Sequence, residues 1–134
     1  MTIKPQVIRY ISTCIFLIIE LPAIEKMENK EYLKRVEELF QKVEEKLDEY
    51  EDDIDYDHTP DKLMLNFESS GKKVVINTQR AIKEIWLAGN SRAWHFQFLS
   101  DQDIWFARAE QEEFYNCLAS LLSDNLKQPV SFQN

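Results

Sequence analysis

The sequence predicts an α+β fold, a two-layer sandwich in which an N-terminal and a C-terminal helix pack on one face of a five- to six-stranded antiparallel sheet. Three observations predict this fold. Apolar residues recur at helical spacing from Tyr32 to Tyr50, alternate at strand spacing between Ile54 and Ala107, and return to helical spacing from Phe114. Since both helices bury their apolar stripes on the same sheet, the other sheet face is expected to meet solvent.

The first helix is predicted from apolar residues that lie three and four positions apart, with acidic residues on the opposite side. Because consecutive aspartates are poor helix formers, the helix is predicted to end between Tyr50 and Asp52. The apolar stripe consists of Tyr32, Leu33, Val36, Leu39, Phe40, Val43, Leu47 and Tyr50.

Short segments with strand periodicity follow, separated by turn-forming residues such as Gly71 and Gly89. Leu63, Leu65 and Phe67, for example, are each separated by a single residue, so they are expected to share one face of a strand. The predicted strands are Ile54–Asp57, Leu63–Phe67, Lys73–Thr78, Glu84–Leu87, Trp94–Phe98 and Ile104–Ala107.

The second helix is predicted from about Glu110 to Leu126. Its glutamates at the start suit the positive end of a helix dipole. Cys117 lies within the apolar stripe of this helix, which predicts a buried and chemically inert thiol.

The net charge of −8 is concentrated in one segment. Glu28–Asp57 contains 13 acidic and 5 basic residues, and the remaining 11 acidic and 11 basic residues cancel. Nucleic acid and anionic membrane surfaces are disfavoured as partners, because both require a basic surface. The 134 residues suit one domain, and the two distant cysteines favour a reducing compartment.

Residues 1–26 differ from the rest of the chain. The run Tyr10–Ile19 is uncharged and mostly apolar, but its ten residues are too few for a membrane span. Targeting signals are poorly supported. We interpret 1–26 as an N-terminal apolar extension and 27–134 as the folded domain. The preferred hypothesis is that the working protein begins near Met27, and a membrane-tethered interaction module is an alternative.

Carboxylates accumulate where the first helix ends, although the helix dipole is already negative there. Their oxygens are hard ligands that suit iron, manganese, calcium and magnesium ions. The residues alone favour a solvated face, with a weak cation site or a docking surface for a basic partner as alternatives. We call this set the acidic ridge: Glu44, Glu45, Asp48, Glu49, Glu51, Asp52, Asp53, Asp55 and Asp57, with His58 as an added nitrogen ligand.

Trp86 is the second candidate for binding. If Ile85 and Leu87 face the helices, strand alternation places Trp86 on the open face of the sheet. Asn77 and Gln79 likewise share one face, so an interaction surface is predicted, with a buried core position for Trp86 as the alternative. His95 is expected on the same face, where a lone histidine is more often a bystander than a ligand.

The motif Asn77-x-Gln79, followed by Ile85-Trp86-Leu87 and an aromatic strand, resembles the frataxin family, most closely its bacterial CyaY branch. The element order and the acidic end of the first helix belong to the same resemblance. It covers roughly residues 31–132. The chain departs from the family pattern at Ala81, where a proline is usual, and at Glu84, where a neutral glutamine is common.

The resemblance implies a frataxin-like domain and a protein of iron–sulfur cluster assembly, with the acidic ridge as a weak site for Fe²⁺ or Fe³⁺. It implies that Asn77, Gln79 and Trp86 contact the cysteine desulfurase and its scaffold protein. The protein is then expected to be a monomer, cytoplasmic in a bacterium or in the mitochondrial matrix of a eukaryote, that regulates the desulfurase or donates iron.

No catalytic residues and no further cofactor are predicted, because the carboxylates lie on an exposed helix edge and not in a desolvated pocket. The alternative from another class is a ferroxidase and iron-storage protein that oxidises Fe²⁺ and oligomerises with iron.

Overall fold

A computed structural model describes residues 27–132. Two helices flank seven antiparallel strands that lie in the sheet in their sequence order. Short 3₁₀ turns, Asp48–Tyr50 and Arg80–Ile82, follow the first helix and the third strand. The elements are α1 (Asn29–Leu47), β1 (Ile54–Thr59), β2 (Lys62–Phe67), β3 (Lys73–Gln79), β4 (Glu84–Gly89), β5 (Arg92–Leu99), β6 (Ile104–Ala107), β7 (Glu112–Glu113) and α2 (Phe114–Leu126).

The predicted α+β sandwich is confirmed, with one strand more than the predicted range. The added strand, β7, consists of two residues that pair with Phe106 and Ala107 at the end of β6. A strand of two residues is too short to show an alternating pattern, so the sequence did not predict it. None of the helices that the structure describes is long and apolar enough to cross a membrane.

One face of the sheet is covered by both helices, and we call it the inner face. Phe96 on β5 contacts Phe114 on α2 edge-to-face, with ring centroids 5.2 Å apart, and Trp105 on β6 contacts Tyr32 on α1 in the same manner. The inner positions of the central strands are almost fully buried: Leu63, Leu65, Phe67, Val74, Ile76, Ile85, Leu87, Trp94 and Phe96. The opposite face, the outer face, therefore carries the alternate residues.

The helix α1 ends at Leu47, three residues before the predicted range of Tyr50 to Asp52, because its last turn tightens into a 3₁₀ turn at Asp48–Tyr50. Its buried residues are Tyr32, Val36, Leu39, Phe40, Val43 and Leu47, which belong to the predicted apolar stripe. Leu33 of the same stripe is instead 40% exposed. The apolar face of α1 is thus one residue narrower at its N-terminal end than predicted.

The helix α2 begins at Phe114 and not at Glu110, so the predicted start was wrong by four residues. Gln111 has a φ of 58°, a left-handed conformation that an α-helix cannot contain, and its backbone N–H donates to the carbonyl of Ala107. Glu113 then caps the helix, since its carboxylate accepts the backbone N–H groups of Tyr115 and Asn116 at 3.0 Å. Glu110, Glu112 and Glu113 suggested the first turn of a helix, but the structure places only Glu113 at the helix start, where its side chain is the N-cap.

Replacing the cap tests this start. Glu113→Ala should lower the free energy of unfolding by about 1 kcal/mol, the typical loss when a side-chain helix cap is removed. Glu110→Ala, the matched control on an exposed glutamate outside the helix, should change it by less than about 0.5 kcal/mol. Urea denaturation measures both. Equal losses in the two variants would contradict the assigned start of α2.

Candidate functional site

The acidic ridge runs from the last turns of α1 through the 3₁₀ turn into β1. β1 is the first strand in the sheet order and pairs with β2, so the ridge lies along one edge of the sheet. Most of its carboxylates are exposed, and Glu44 is half-buried. Lys46 is the one basic residue within the ridge segment, and its Nζ lies 3.3 Å from Glu49 Oε2.

Two side chains of β1 bind carboxylates of α1. The Tyr56 hydroxyl donates a hydrogen bond to Asp48 Oδ1 at 3.0 Å, and His58 Nδ1 contacts the carboxylate of Glu44. The His58 ring also meets Phe40 edge-to-face, with ring centroids 5.3 Å apart. Partial burial and the Asp48 carboxylate raise the pKa of the Tyr56 phenol. These contacts tie the edge strand to the end of the helix.

The side chains of β1, which forms the last part of the ridge, are divided between the two faces of the sheet. Tyr56 and His58 point towards α1, whereas the alternate residues Asp55 and Asp57 lie on the outer face, opposite Asn66 and Met64 of β2. Over residues 27–132, no three acidic, histidine or cysteine side chains are arranged so that they could hold one metal ion. The predicted ligands therefore form a band of single carboxylates and pairs, and a cation there would keep most of its water.

The outer face carries the second candidate. Ile85 and Leu87 are buried and Trp86 is partly exposed, as strand alternation predicts. The strand register places Asn77 and His95 on either side of Trp86, in one row across β3, β4 and β5. A second row contains Gln79, Glu84 and Gln97. The structure thus brings all three predicted partner-binding residues into adjoining positions.

Direct contacts connect these rows. Gln79 donates a side-chain amide hydrogen bond to Asn77 at 3.3 Å, and the indole Nε1–H of Trp86 donates to Glu84 Oε1 at 2.8 Å. The Trp86 indole and the His95 imidazole are stacked, with ring centroids 4.0 Å apart and planes 11° from parallel. Sequence reasoning placed His95 on this face without a role, and only the register of β4 and β5 could have paired it with Trp86.

The turn before Trp86 is held by a separate polar cluster. One carboxylate oxygen of Asp61 accepts hydrogen bonds from Thr78 Oγ1 and Arg80 Nε, both at 2.7 Å. These two bonds, with the nearby Arg80 charge, lower the pKa of Asp61. The 3₁₀ turn then ends at Lys83, which takes a left-handed φ of 57° and leads into β4. Contacts around Arg80 thus hold the loop that contains Ala81.

Cys117 is buried in the apolar stripe of α2, as predicted. Its thiol lies 2.8 Å from Glu112 Oε1, and burial, together with this acidic neighbour, raises its pKa above the usual range for a thiol. The thiol therefore stays protonated near neutral pH and is a poor nucleophile. Cys14 and the apolar extension 1–26 lie outside the described residues.

The described part of the chain defines a class of protein: an α+β sandwich with an acidic edge and a partly exposed tryptophan–amide patch on its open sheet face. The model of the frataxin-like domain matches residues 25–128 of the chain. The chain belongs to the frataxin family.

Individual relatives agree with this assignment. An iron–sulfur cluster assembly protein CyaY from Paraburkholderia phymatum is 33% identical over 104 residues, which cover 78% of this chain and 96% of that protein. The CyaY of Vibrio atlanticus is 40% identical over 76 residues, which cover 57% of this chain and 72% of that protein. The solved structure of frataxin from Psychromonas ingrahamii matches with a TM-score of 0.72 and 30% identity, over 81% of this chain and all of that one.

A pair of tryptophan replacements tests the two sheet faces. Trp86→Ala should lower the free energy of unfolding by no more than about 1 kcal/mol, as for a partly exposed side chain. Trp94→Ala, the matched control on the inner face, should cost about 3–5 kcal/mol because Trp94 is 3% exposed. Chemical denaturation of both variants measures the difference. A loss at Trp86 as large as that at Trp94 would assign Trp86 to the core.

Proposed function

We propose that this protein acts in iron–sulfur cluster assembly as a non-catalytic regulator of the cysteine desulfurase and its scaffold protein. The observation that carries the proposal is the presence of two separate surfaces on one domain, the mostly exposed acidic ridge and the partly exposed Asn77–Gln79–Trp86 patch. Membership in the frataxin family and relatives named as iron–sulfur cluster assembly proteins support it.

Iron is proposed as a weakly held ion on the acidic ridge. Carboxylate oxygens are hard ligands that suit Fe²⁺ and Fe³⁺, and the ridge provides them singly and in pairs such as Glu45 and Glu49, one helical turn apart. Because no three ligands converge within the described residues, most of the coordination sphere would be water. Such an ion exchanges readily, which suits a regulatory signal or iron donation better than permanent storage.

The acidic ridge is also proposed to face basic residues of the desulfurase. A band of one sign of charge along an exposed edge attracts a complementary surface over a distance of about one Debye length, about 8 Å at physiological salt. Iron and a basic partner would then compete for the same carboxylates. This competition offers a direct way for iron to modulate the complex.

The second contact is proposed on the outer face. Tryptophan is among the residues that contribute most binding energy at protein interfaces, and here it stands among polar amides on an otherwise open sheet. The two surfaces together would let one small domain bridge the desulfurase and the scaffold. We propose a cytoplasmic monomer if the source is bacterial, one that iron can drive to oligomerise.

Metal-induced stabilisation tests the acidic ridge. Under anaerobic conditions, Fe²⁺ at ten times its dissociation constant should stabilise the folded protein by about 1.4 kcal/mol and raise its melting temperature. Glu45→Lys, Asp48→Lys and Glu49→Lys combined should remove most of this shift, because they replace three exposed ligands with cations.

The matched control reverses three exposed carboxylates elsewhere, Asp101, Glu110 and Asp124, and thus changes the net charge equally. This control should keep the shift. An equal shift in both triple variants would show that the ridge is not the iron site. Oxygen uptake measured after the anaerobic titration distinguishes the regulator from the ferroxidase alternative. Only a ferroxidase would consume oxygen faster than uncatalysed iron oxidation does.

Desulfurase turnover tests the role itself. Adding this protein to a purified desulfurase and scaffold should change the rate of cysteine consumption, by an amount that depends on iron concentration. Trp86→Ala should weaken binding to the complex at least about tenfold, the scale of an interface hot spot. Leu33→Ala, which removes an apolar side chain that is 40% exposed on α1, is the control and should bind normally. Turnover that is unaffected by the wild-type protein at every iron concentration would contradict the proposal.

A further inference from the structure

We propose that His95 is a positioning residue for Trp86, whose indole it holds in the orientation that binds the partner. This inference rests on the proposed function of the outer face and adds a residue to it. The two residues lie directly opposite each other on β4 and β5, and their rings are stacked at 4.0 Å between centroids. With an interplanar angle of 11°, the imidazole lies nearly parallel to the indole face.

A second contact restrains the same indole. Its Nε1–H donates to Glu84 Oε1 at 2.8 Å, and the other oxygen of Glu84 accepts a weaker bond from Gln97 at 3.4 Å. The backbone carbonyl of Glu84 is itself bound by the Tyr32 hydroxyl of α1 at 2.7 Å. Tyr32 is 1% exposed, so this chain of contacts leads from the outer face into the core.

The two contacts restrain both the ring and the polar atom of Trp86. His95 stacks on the indole, Glu84 accepts the hydrogen bond of Nε1, and Asn77 lies opposite Trp86 on β3. An exposed tryptophan without such restraints samples several rotamers and loses that freedom on binding. Holding it in advance removes this entropy loss, which for one side chain corresponds to about a twofold to tenfold change in affinity.

The nature of the contact predicts which substitutions matter. Stacking needs a flat ring at position 95 but neither a charge nor a hydrogen-bonding atom. A phenylalanine should therefore replace His95, whereas an alanine should release the indole. His95 is exposed and makes no contribution to the inner core, so neither change is expected to unfold the protein.

Acrylamide quenching of tryptophan fluorescence tests the positioning without any partner. Trp94 and Trp105 are 3% and 4% exposed, so Trp86 dominates the accessible signal. His95→Ala should raise the quenching constant because it uncovers an indole face, and His95→Phe should restore the wild-type value. An unchanged quenching constant in His95→Ala would overturn the proposal.

Binding to the desulfurase–scaffold complex is then measured on the same variants. His95→Ala should weaken binding about twofold to tenfold, and His95→Phe should recover it. If His95→Phe binds as weakly as His95→Ala, the imidazole contacts the partner itself and the positioning role is wrong. If Trp86→Ala binds as tightly as wild type, the proposed partner surface fails, and the quenching result still decides whether His95 holds the indole.

Discussion

Burial of one face of the antiparallel sheet under α1 and α2 is the constraint on which the rest of the structure depends. Leu63, Ile76, Ile85 and Phe96, one from each central strand, are completely buried on this face. Because side chains alternate along a strand, burying these residues obliges their neighbours to face outward. Shifting any central strand by one residue would bury Trp86 or a polar side chain, so the exposed patch and the core are set by the same register.

The position of the acidic ridge also depends on how α1 packs on the sheet, because the ridge lies at the junction between α1 and β1. α1 ends at Leu47, its last buried residue, and β1 begins at Ile54 on the edge of the sheet. The carboxylates that accumulate at this junction are thus spread over a helix end, a turn and both faces of an edge strand. Their number raises the local negative charge, while their spread prevents a closed metal cage. The weak iron binding and the electrostatic docking that we propose would both follow from this one geometry.

Sequence reasoning succeeded where periodicity is strong and failed where the signal is a single contact. Alternation around Trp86 and the stripe of α1 predicted the two faces correctly, since burial enforces both patterns. The start of α2 was wrong because Glu113 acts as a cap, and a glutamate in a cap resembles one in a first turn. The stack of His95 on Trp86 depends on strand register, which a single sequence does not encode locally. The division of Asp57 from His58 follows from alternation, but only once β1 is known to continue through His58.

The most direct test of two separate binding surfaces is to map amide resonances of the isotopically labelled protein by nuclear magnetic resonance. Titration is carried out first with Fe²⁺ under anaerobic conditions and then with the desulfurase–scaffold complex. We expect Fe²⁺ to affect residues from Glu44 to His58 and their neighbours on β2, and the complex to affect Asn77, Gln79, Trp86 and His95 in addition. Perturbation of the β3–β5 outer face by Fe²⁺ alone, or of neither surface by the complex, would contradict this account.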